Sequence, residues 1–430
     1  MITSFIRLLM SNSRIKLSLF LNYFVFAILL NSVGTVILQV QNNFGISKGS
    51  ASVLEAFKDL SIAITSFIIA SQVAKIGYKR TMLIALALVS IVCMAMPSLK
   101  SFASTKLLFA CVGIGFALVK VTVFSTITLV TKNDKEHLSL MSFLESFFMV
   151  GILCGNFFFG YFVDDENKTS TGWFTSYYFL GGLAIIAFLL LFSTKLDESR
   201  IHEAEKSKSS ADDFADMIKL IAVPLVLVFI FSAFFYVLIE QSIMSWLPTF
   251  NNDVLKLSTS LSIQMASILS ASIALGRFLA GMVLRKIDWL YVLLCCLICA
   301  GIIVVITVPL AKNISGTAIN SLADVPIVAF LFPLIGLFLA PIYPAINSVI
   351  LSNLPAHKHP AMSGLIVVFS ALGGTTGSII TGHVFDAYGG QTAFYFSLIP
   401  MAILVVLLFF FKKLQKQTGN NNIEFTGGGH

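Results

Sequence analysis

The sequence predicts an all-α integral membrane protein whose twelve transmembrane helices form two halves of six. Of its 430 residues, 57% are hydrophobic and only 11% are charged, whereas soluble domains carry about 25% charged residues. The mean hydropathy is +0.92, and apolar runs long enough to cross a bilayer recur along the chain. These observations exclude a soluble enzyme, a disordered chain and a nucleic-acid-binding domain.

The apolar runs define the individual helices. A membrane-spanning helix needs about 20 mostly apolar residues, and twelve segments of this kind, numbered spans 1 to 12, are predicted. They cover residues 16–41, 50–73, 80–98, 104–130, 139–163, 173–194, 221–247, 258–284, 289–310, 326–351, 361–385 and 391–411. The first run is long enough to span a bilayer, so it is interpreted as a helix and not as a cleavable signal peptide.

The basic residues predict the orientation of the chain. Because the number of spans is even, both termini lie on one side. Of the 28 lysines and arginines, 19 lie in loops on the side of the termini, six lie in the opposite loops and three lie within spans. The positive-inside rule then places both termini in the cytoplasm of a protein of the inner or plasma membrane.

The most charged loop divides the chain into its halves. Residues 195–220 form a predicted cytoplasmic linker between a first half, 1–194, and a second half, 221–411. Residues 412–430 form a cytoplasmic tail whose Gly-Gly-Gly-His end is interpreted as an expression remnant. Two six-span units in series are typical of proteins built from repeated membrane halves.

Proline and glycine modify particular spans. Pro341 and Pro344 predict a break in span 10, because proline interrupts helical hydrogen bonding. Glycines repeat through spans 5 and 11, including Gly151 and Gly373. Small residues allow helices to approach closely, so these spans are expected to form the sliding interface between the halves.

Seven charged residues fall inside the predicted spans. Each charge costs about 2.5–3.5 kcal/mol at a bilayer centre on insertion scales, so such residues usually face a cavity and interact with a partner. They are Glu55, Lys58, Asp59, Lys120, Glu145, Glu240 and Arg277. Four acids and three bases nearly cancel, which favours ion pairs within the membrane.

Spans 2, 4 and 5 hold the candidate residues for proton coupling. Glu55, Lys58 and Asp59 share one face of span 2, where a local Glu55–Lys58 pair is expected. Lys120 lies too deep in span 4 to reach water by snorkelling. It either forms an ion pair with Glu145 or Asp59, or lines a cavity and binds an anionic substrate. Asp59, Glu145 and Glu55 are the predicted proton-coupling residues, and Lys58 is assigned to gating or structure.

Further polar residues are candidates for substrate binding. Glu240, Gln241 and Trp246 in span 7 combine polar groups with an aromatic platform, although packing at a gate explains them equally well. Asn31 in span 1 and Asn347 in span 10 are candidate cavity ligands, and each is also explained by a hydrogen bond that packs helices. No metal site or cofactor site is predicted.

Several motifs resemble the major facilitator superfamily. The second loop reads Gly77-Tyr78-Lys79-Arg80, and its counterpart in the second half begins Gly276-Arg277. Within the superfamily the chain is similar to the fucose permease group of sugar/H⁺ symporters, on Tyr236-Val237 with Glu240, and on Ala340-Pro341-Ile342-Tyr343-Pro344. The resemblance implies the two-halved fold, a substrate role for Tyr343 and gating roles for Gly77, Arg80 and Arg277.

Two departures from the fucose permease group bear on the substrate. The group has Asn-Asp where this chain has Asn31-Ser32, so an acid is absent from span 1. The group has Glu or Gln where this chain has Lys120. A cation at this position favours an anionic substrate over a neutral sugar.

The predicted function is secondary active transport of a small polar, anionic organic solute by proton-coupled alternating access. Sugar acids, carboxylates and peptide-like metabolites are the expected substrates, taken up by symport. A neutral sugar/H⁺ symporter and a drug or metabolite exporter remain alternatives. An enzyme is not expected, because HExxH, nucleophile-elbow and P-loop motifs are absent from the sequence. The expected partners are the substrate, protons and the lipid bilayer, and the expected state is a monomer that binds no nucleic acid.

Overall fold

The fold is known from a computed structural model, in which part of the chain is described. The described residues are 13–69, 72–131, 134–196, 198, 218–284, 286–311, 319–354 and 359–420. Within them the chain is helical almost throughout, with one isolated β-bridge between Leu257 and Ile319. Most of the predicted linker 195–220 and the tail after residue 420 lie outside the described residues.

The first half contains spans 1 to 6. Their helices are Ser13–Asn31 with Val33–Phe44, Val53–Ile69, Tyr78–Leu99, Phe102–Val130, Asp134–Tyr161 and Ser176–Ser193. The short helices Lys48–Ala51 and Val73–Ile76 precede spans 2 and 3, and the 3-10 turn Gly172–Thr175 precedes span 6. The predicted boundaries agree with these helices to within a few residues.

The second half contains spans 7 to 12. Their helices are Pro224–Met244 with Leu247–Asp253, Thr259–Val283, Trp289–Leu310, the series Val328–Leu331, Phe332–Leu334, Ile335–Leu339 and Ile342–Ser352, and finally His359–Phe396 and Leu398–Asn420. Span 10 breaks between Leu339 and Ile342, as its prolines predict. Gly389 separates spans 11 and 12, and its φ of +82° is a left-handed conformation that favours glycine. The last helix continues past the predicted end of span 12 at residue 411.

Length and composition identify most of these helices as membrane-spanning. Among the described residues, nine helical segments are long and apolar enough to cross a bilayer, and one of them, 362–416, contains both span 11 and span 12. Span 2 is excluded because it is a helix of 17 residues with three charges, and span 5 because its apolar part, Phe147–Tyr161, is short. Together they give the twelve spans of a multi-pass membrane protein, and the predicted fold class is confirmed.

The glycines of spans 5 and 11 match their predicted role only in part. Gly151 packs against span 1 and Gly373 packs against span 7, so each lies within its own half. Gly374 instead lies against Asp59 of span 2, across the boundary between the halves. Glycine therefore permits close helix packing both inside a half and between the halves, and sequence spacing alone does not distinguish the two uses.

Two carboxylates join the halves at one face of the protein. We name the face where span 1 begins and span 12 ends the terminal face, and the other the opposite face. At the opposite face, Asp386 after span 11 accepts hydrogen bonds from the amides of Lys48 and Gly49 at 3.0 and 2.7 Å. Asp165 after span 5 accepts one from the amide of Ser260 at 2.9 Å, and another from its hydroxyl. These carboxylate caps occupy equivalent places, because spans 5 and 11, and spans 8 and 2, correspond in the two halves.

Further contacts close the opposite face around the caps. The hydroxyl of Ser245 in span 7 donates to Glu55 Oε2 in span 2 at 2.8 Å. Lys48 Nζ lies 2.9 Å from Asp253 Oδ2, which adds an ion pair between the halves. Gly34 of span 1 lies so near the backbone of Ser245 that a Cβ there would be 2.8 Å from its carbonyl oxygen. The halves are therefore in direct contact at this face.

We expect loss of a carboxylate cap to favour opening of the opposite face. Asp386→Asn or Asp165→Asn replaces a charged acceptor of two hydrogen bonds by an amide, and charge-assisted bonds contribute about 1.5–3 kcal/mol each. In a cysteine-free background, Thr249→Cys reports opening, because Thr249 is fully buried at this face. Labelling by a membrane-impermeant maleimide should accelerate by about tenfold or more.

The control for this experiment is Asp324→Asn, which removes the same charge from an exposed turn before span 10. It should leave the labelling rate unchanged. Unchanged labelling in both cap variants would show that the caps do not hold the face closed.

Candidate functional site

A cavity of about 970 Å³ lies between the two halves. Its walls come from spans 1, 4 and 5 of the first half and from spans 8 and 10 of the second. The cavity reaches Leu284 and Trp289, which flank the loop between spans 8 and 9 on the terminal face. It therefore extends from the interior to the terminal face, while the opposite face is closed.

Lys120 lies in the first-half wall of this cavity. Lys120 and Phe116 are one helical turn apart on span 4, so both side chains share one face of the helix. Lys120 Nζ lies 5.7 Å from the centroid of the Phe116 ring. Lys120 is exposed, in the position that the sequence predicts for a cavity-lining cation.

Three aromatic rings form a continuous surface beside Lys120. We name Tyr23, Phe116 and Phe148 the aromatic wall. The ring centroids of Phe116 and Phe148 are 5.9 Å apart, and those of Tyr23 and Phe148 are 5.7 Å apart, distances typical of attractive ring pairs. No motif in the sequence marks this wall, although the spacing of Phe116 and Lys120 indicates a shared face.

Arg277 lies in the second-half wall, where sequence reasoning placed a gate contact. Its Nη1 is 3.9 Å from the Sδ of Met149 in span 5, and sulfur is a weak acceptor. Its Nε is buried and has no hydrogen-bond partner among the described residues. Because a buried donor without a partner is unfavourable by about 1–3 kcal/mol, an acceptor bound in the cavity would be stabilised here. The sequence signals for this position were the charge inside span 8 and the Gly276-Arg277 motif.

Tyr343 lines the cavity, whereas Glu240 lies behind it. The Tyr343 ring stacks on that of Tyr236 with centroids 5.5 Å apart, and its hydroxyl lies 2.9 Å from Ser370 Oγ. The Tyr236 hydroxyl donates to Glu240 Oε1 at 2.8 Å. Glu240 is thus held by the tyrosine pair, outside the residues that line the cavity.

The predicted asparagine ligands lie outside the cavity lining. Asn31 Nδ2 donates to the carbonyl of Ala27 at 2.9 Å, within its own helix. Asn31 faces a separate void of about 10 Å³ between the halves. Asn347 is partly buried on span 10. The hydrogen bond of Asn31 is therefore internal to span 1 and joins no second helix.

The predicted span 7 ligands take part in packing at the opposite face. Trp246 is fully buried, and its Nε1 donates to the carbonyl of Ser378 in span 11 at 3.1 Å. The side-chain amide of Gln241 lies 3.2 Å from Ser245 Oγ. These two contacts match the gate-packing alternative.

The charged residues of span 2 form a buried cluster near the opposite face. Lys58 Nζ contacts Glu55 Oε1 and lies 3.4 Å from Asp59 Oδ1, so the expected Glu55–Lys58 pair is present. All three are buried, with exposures of 0% for Glu55, 4% for Lys58 and 7% for Asp59. Two acids and one base leave one negative charge uncompensated when all are ionised. The side chain of Glu145, the third predicted coupling residue, lies outside the described residues.

The loop motif between spans 2 and 3 is bound by the linker. Glu198 Oε1 accepts a hydrogen bond from the amide of Lys79 at 2.7 Å. Gly77 has φ +93°, and a Cβ there would lie 2.7 Å from Glu198 Oε2. Arg80 is exposed. Glu198, which the sequence analysis did not select, therefore supplies a carboxylate to this motif.

An ion pair lies at the mouth of the cavity on the terminal face. Lys412 Nζ of span 12 lies 2.7 Å from Asp288 Oδ2 and 5.1 Å from the centroid of the Trp289 ring. Asp288 Oδ1 also accepts a hydrogen bond from the amide of Leu290 at 2.9 Å. The hydrogen bond from Lys412, followed by that from Leu290, lowers the pKa of the Asp288 carboxyl below its ordinary value.

Two helical halves around a central cavity that reaches one face and is closed at the other form the architecture of a membrane transporter. The sequence matches the family model of the Major Facilitator Superfamily over residues 19–323 and 314–427. The chain belongs to this superfamily and is a transporter, not an enzyme. The predicted superfamily is confirmed. No curated protein matches the chain.

Solved structures share the fold at low sequence identity. A bacterial homolog of the human lysosomal transporter Spinster, inward-facing and unoccupied, is 18% identical with a TM-score of 0.70, over 95% of this chain and 97% of that one. The inward open xylose transporter XylE from E. coli is 14% identical with a TM-score of 0.71, over 93% and 95%. The E. coli fucose:proton symporter FucP is 16% identical with a TM-score of 0.61, over 92% and 98%.

We expect Lys412→Gln to destabilise the protein at neutral pH by less than about 1 kcal/mol, the usual range for exposed ion pairs. Pairing with Lys412 lowers the pKa of Asp288. The stabilisation that this ion pair gives to the folded protein is therefore present above the ordinary pKa of 3.8 and is lost as the pH falls through the lowered pKa. The midpoint of thermal unfolding in detergent, measured against pH, tests this. Lys413→Gln, at the exposed neighbouring position, is the control, and equal midpoints for the two variants at neutral pH would contradict the expectation.

Proposed function

We propose that the protein is a secondary active transporter of a small polar organic anion that binds between Lys120 and Arg277. The observation that carries this proposal is the presence of two cationic side chains, one from each half, in the walls of one cavity. Lysine and arginine form strong, charge-assisted hydrogen bonds with carboxylates. A sugar acid, a carboxylate or a peptide-like metabolite supplies the required group.

The charge balance of the cavity supports an anionic substrate. Asp288 is the one acid among the described lining residues, and Lys412 neutralises it. Lys120 and Arg277 are the two cations that a ligand meets in the walls of the cavity. A bound anion would offset the repulsion between these two cations and allow the two halves to approach at the terminal face.

The closed opposite face supports transport by alternating access. The central cavity reaches the terminal face, and the carboxylate caps join the halves at the other. The excess of lysine and arginine in loops on the side of the termini favours a cytoplasmic terminal face. On this assignment the structure is the inward-open state of a monomeric carrier in the inner or plasma membrane.

The span 2 cluster supports coupling to protons. Glu55 is hydrogen-bonded to Ser245 across the halves, so opening of the opposite face would break this bond and hydrate Glu55 and Asp59. Closing that face buries two acids with one lysine, and a buried uncompensated charge is unfavourable. Uptake of one proton by Glu55 or Asp59 would then accompany closure, and Glu145 is a further candidate.

We expect Lys120→Gln to weaken anion binding by about tenfold or more, since a hydrogen bond to a charged group contributes about 1.5–3 kcal/mol. Thermal-shift titrations of the purified protein with gluconate, succinate and alanyl-glutamate measure the apparent affinities, and glucose is the neutral comparison. Lys106→Gln is the matched control, because Lys106 lies on the same span beside Phe102, away from the cavity.

Anion binding that is equal in wild type and Lys120→Gln would contradict the cationic site. Binding of glucose without any anion would favour the alternative of a neutral sugar symporter.

We expect uptake into proteoliposomes to be driven by an imposed pH gradient, acidic on the opposite-face side. The double variant Glu55→Gln, Asp59→Asn should abolish accumulation against a concentration gradient, because neither amide can carry a proton. Exchange of the same anion across the membrane should persist in this variant. Asp324→Asn, in an exposed turn, should behave as wild type. Uptake by the wild type that ignores the pH gradient would exclude proton coupling.

A further inference from the structure

We infer that the transported anion is an aromatic carboxylate, with a flat apolar body beside its charged group, and not a sugar acid. This inference rests on the proposed anion site at Lys120 and Arg277, and it narrows the substrate class. It follows from what surrounds the two cations in the cavity.

The first observation is the aromatic wall beside Lys120. Phe116 and Phe148 lie with centroids 5.9 Å apart, and Lys120 Nζ lies 5.7 Å from Phe116. An aromatic body packed on these rings would place its carboxylate within reach of the lysine. Aromatic side chains offer large apolar contact areas and prefer stacked or edge-to-face partners.

The second observation is that the other cation has an aromatic neighbour too. Arg277 shares its wall with Tyr343, which is supported from behind by the stacked ring of Tyr236. The hydroxyl of Tyr343 is already engaged with Ser370 at 2.9 Å. Tyr343 therefore contributes mainly its ring to a ligand. Each half supplies one cation and at least one ring.

The third observation is the shortage of neutral hydrogen-bonding groups. Among the described lining residues there is no asparagine or glutamine, and the neutral hydrogen-bonding side chains are those of Ser348, Tyr23, Tyr343 and Trp289. Asn31, Gln241 and Asn347 all lie outside the lining. A sugar acid carries several hydroxyls, and each one that leaves water needs a new partner. The cavity suits a ligand with one anionic group and few hydroxyls.

The size of the cavity agrees with such a ligand. Pockets that enclose drug-sized molecules measure about 300–1,000 Å³, and this cavity measures about 970 Å³. One or two rings with a short carboxylate side chain fit within this volume.

The experiment compares thermal-shift titrations with indole-3-acetate, its neutral amide indole-3-acetamide, and gluconate. We expect indole-3-acetate to bind more tightly than the other two by about tenfold or more. The amide lacks the charged contact with a cation, and gluconate lacks the contact with a ring. Phe148→Leu keeps an apolar side chain and should weaken indole-3-acetate alone, by about fivefold. Phe157→Leu, at a position on the same span that is 53% exposed at the lipid-facing surface, is the matched control. Unfolding without ligand verifies that each variant is folded.

Tighter binding of gluconate than of indole-3-acetate, lost in Lys120→Gln, would overturn the aromatic substrate and leave the anion site intact. Unchanged indole-3-acetate affinity in Phe148→Leu would also overturn the inference. Equal binding of the acid and its amide, with no effect of Lys120→Gln, would overturn the proposed function itself. Failure of indole-3-acetate to bind would exclude this class of substrate.

Discussion

An ammonium, guanidinium or carboxylate group inside a bilayer needs an opposite charge, a polar partner or a cavity, because hydrocarbon offers it none of these. The protein meets this requirement at the boundary between its halves. Glu55, Lys58 and Asp59 neutralise one another in part against span 7, whereas Lys120 and Arg277 face the central cavity. Any movement of one half against the other therefore changes the surroundings of these charges. The proposed site and the proposed movement of the halves therefore share one boundary.

The two charged regions lie at different depths and have different uses. The span 2 cluster lies where the halves are in contact, and its acids are buried. The two cations of the cavity lie where the halves are apart, with rings beside them. Relative rotation of the halves would exchange these conditions, wetting the first region while enclosing the second. In the proposed mechanism, this reciprocal arrangement links protonation at one depth to anion binding at the other.

The fold was predictable because the bilayer imposes a length and a polarity on each span, and the break of span 10 follows from its prolines. Lys120 was selected as a candidate because no water-exposed end lies within its reach. Arg277 was assigned to a gate because the sequence shows how deep a residue lies but not which wall it faces. Asn31 and Trp246 were selected for their polar groups. In the structure, these groups donate hydrogen bonds to backbone carbonyls. The aromatic wall joins three separate spans, so no local pattern encodes it.

The carboxylate caps have a consequence for how the two halves recognise each other. Asp165 of the first half binds the start of span 8, and Asp386 of the second half binds the start of span 2. Each half thus donates and receives the same kind of contact, which is the defining property of an isologous interface in a symmetric dimer. The single chain behaves at this surface like two subunits of a homodimer tethered end to end. The two caps therefore form one self-complementary surface, to which each half contributes a carboxylate and a helix start.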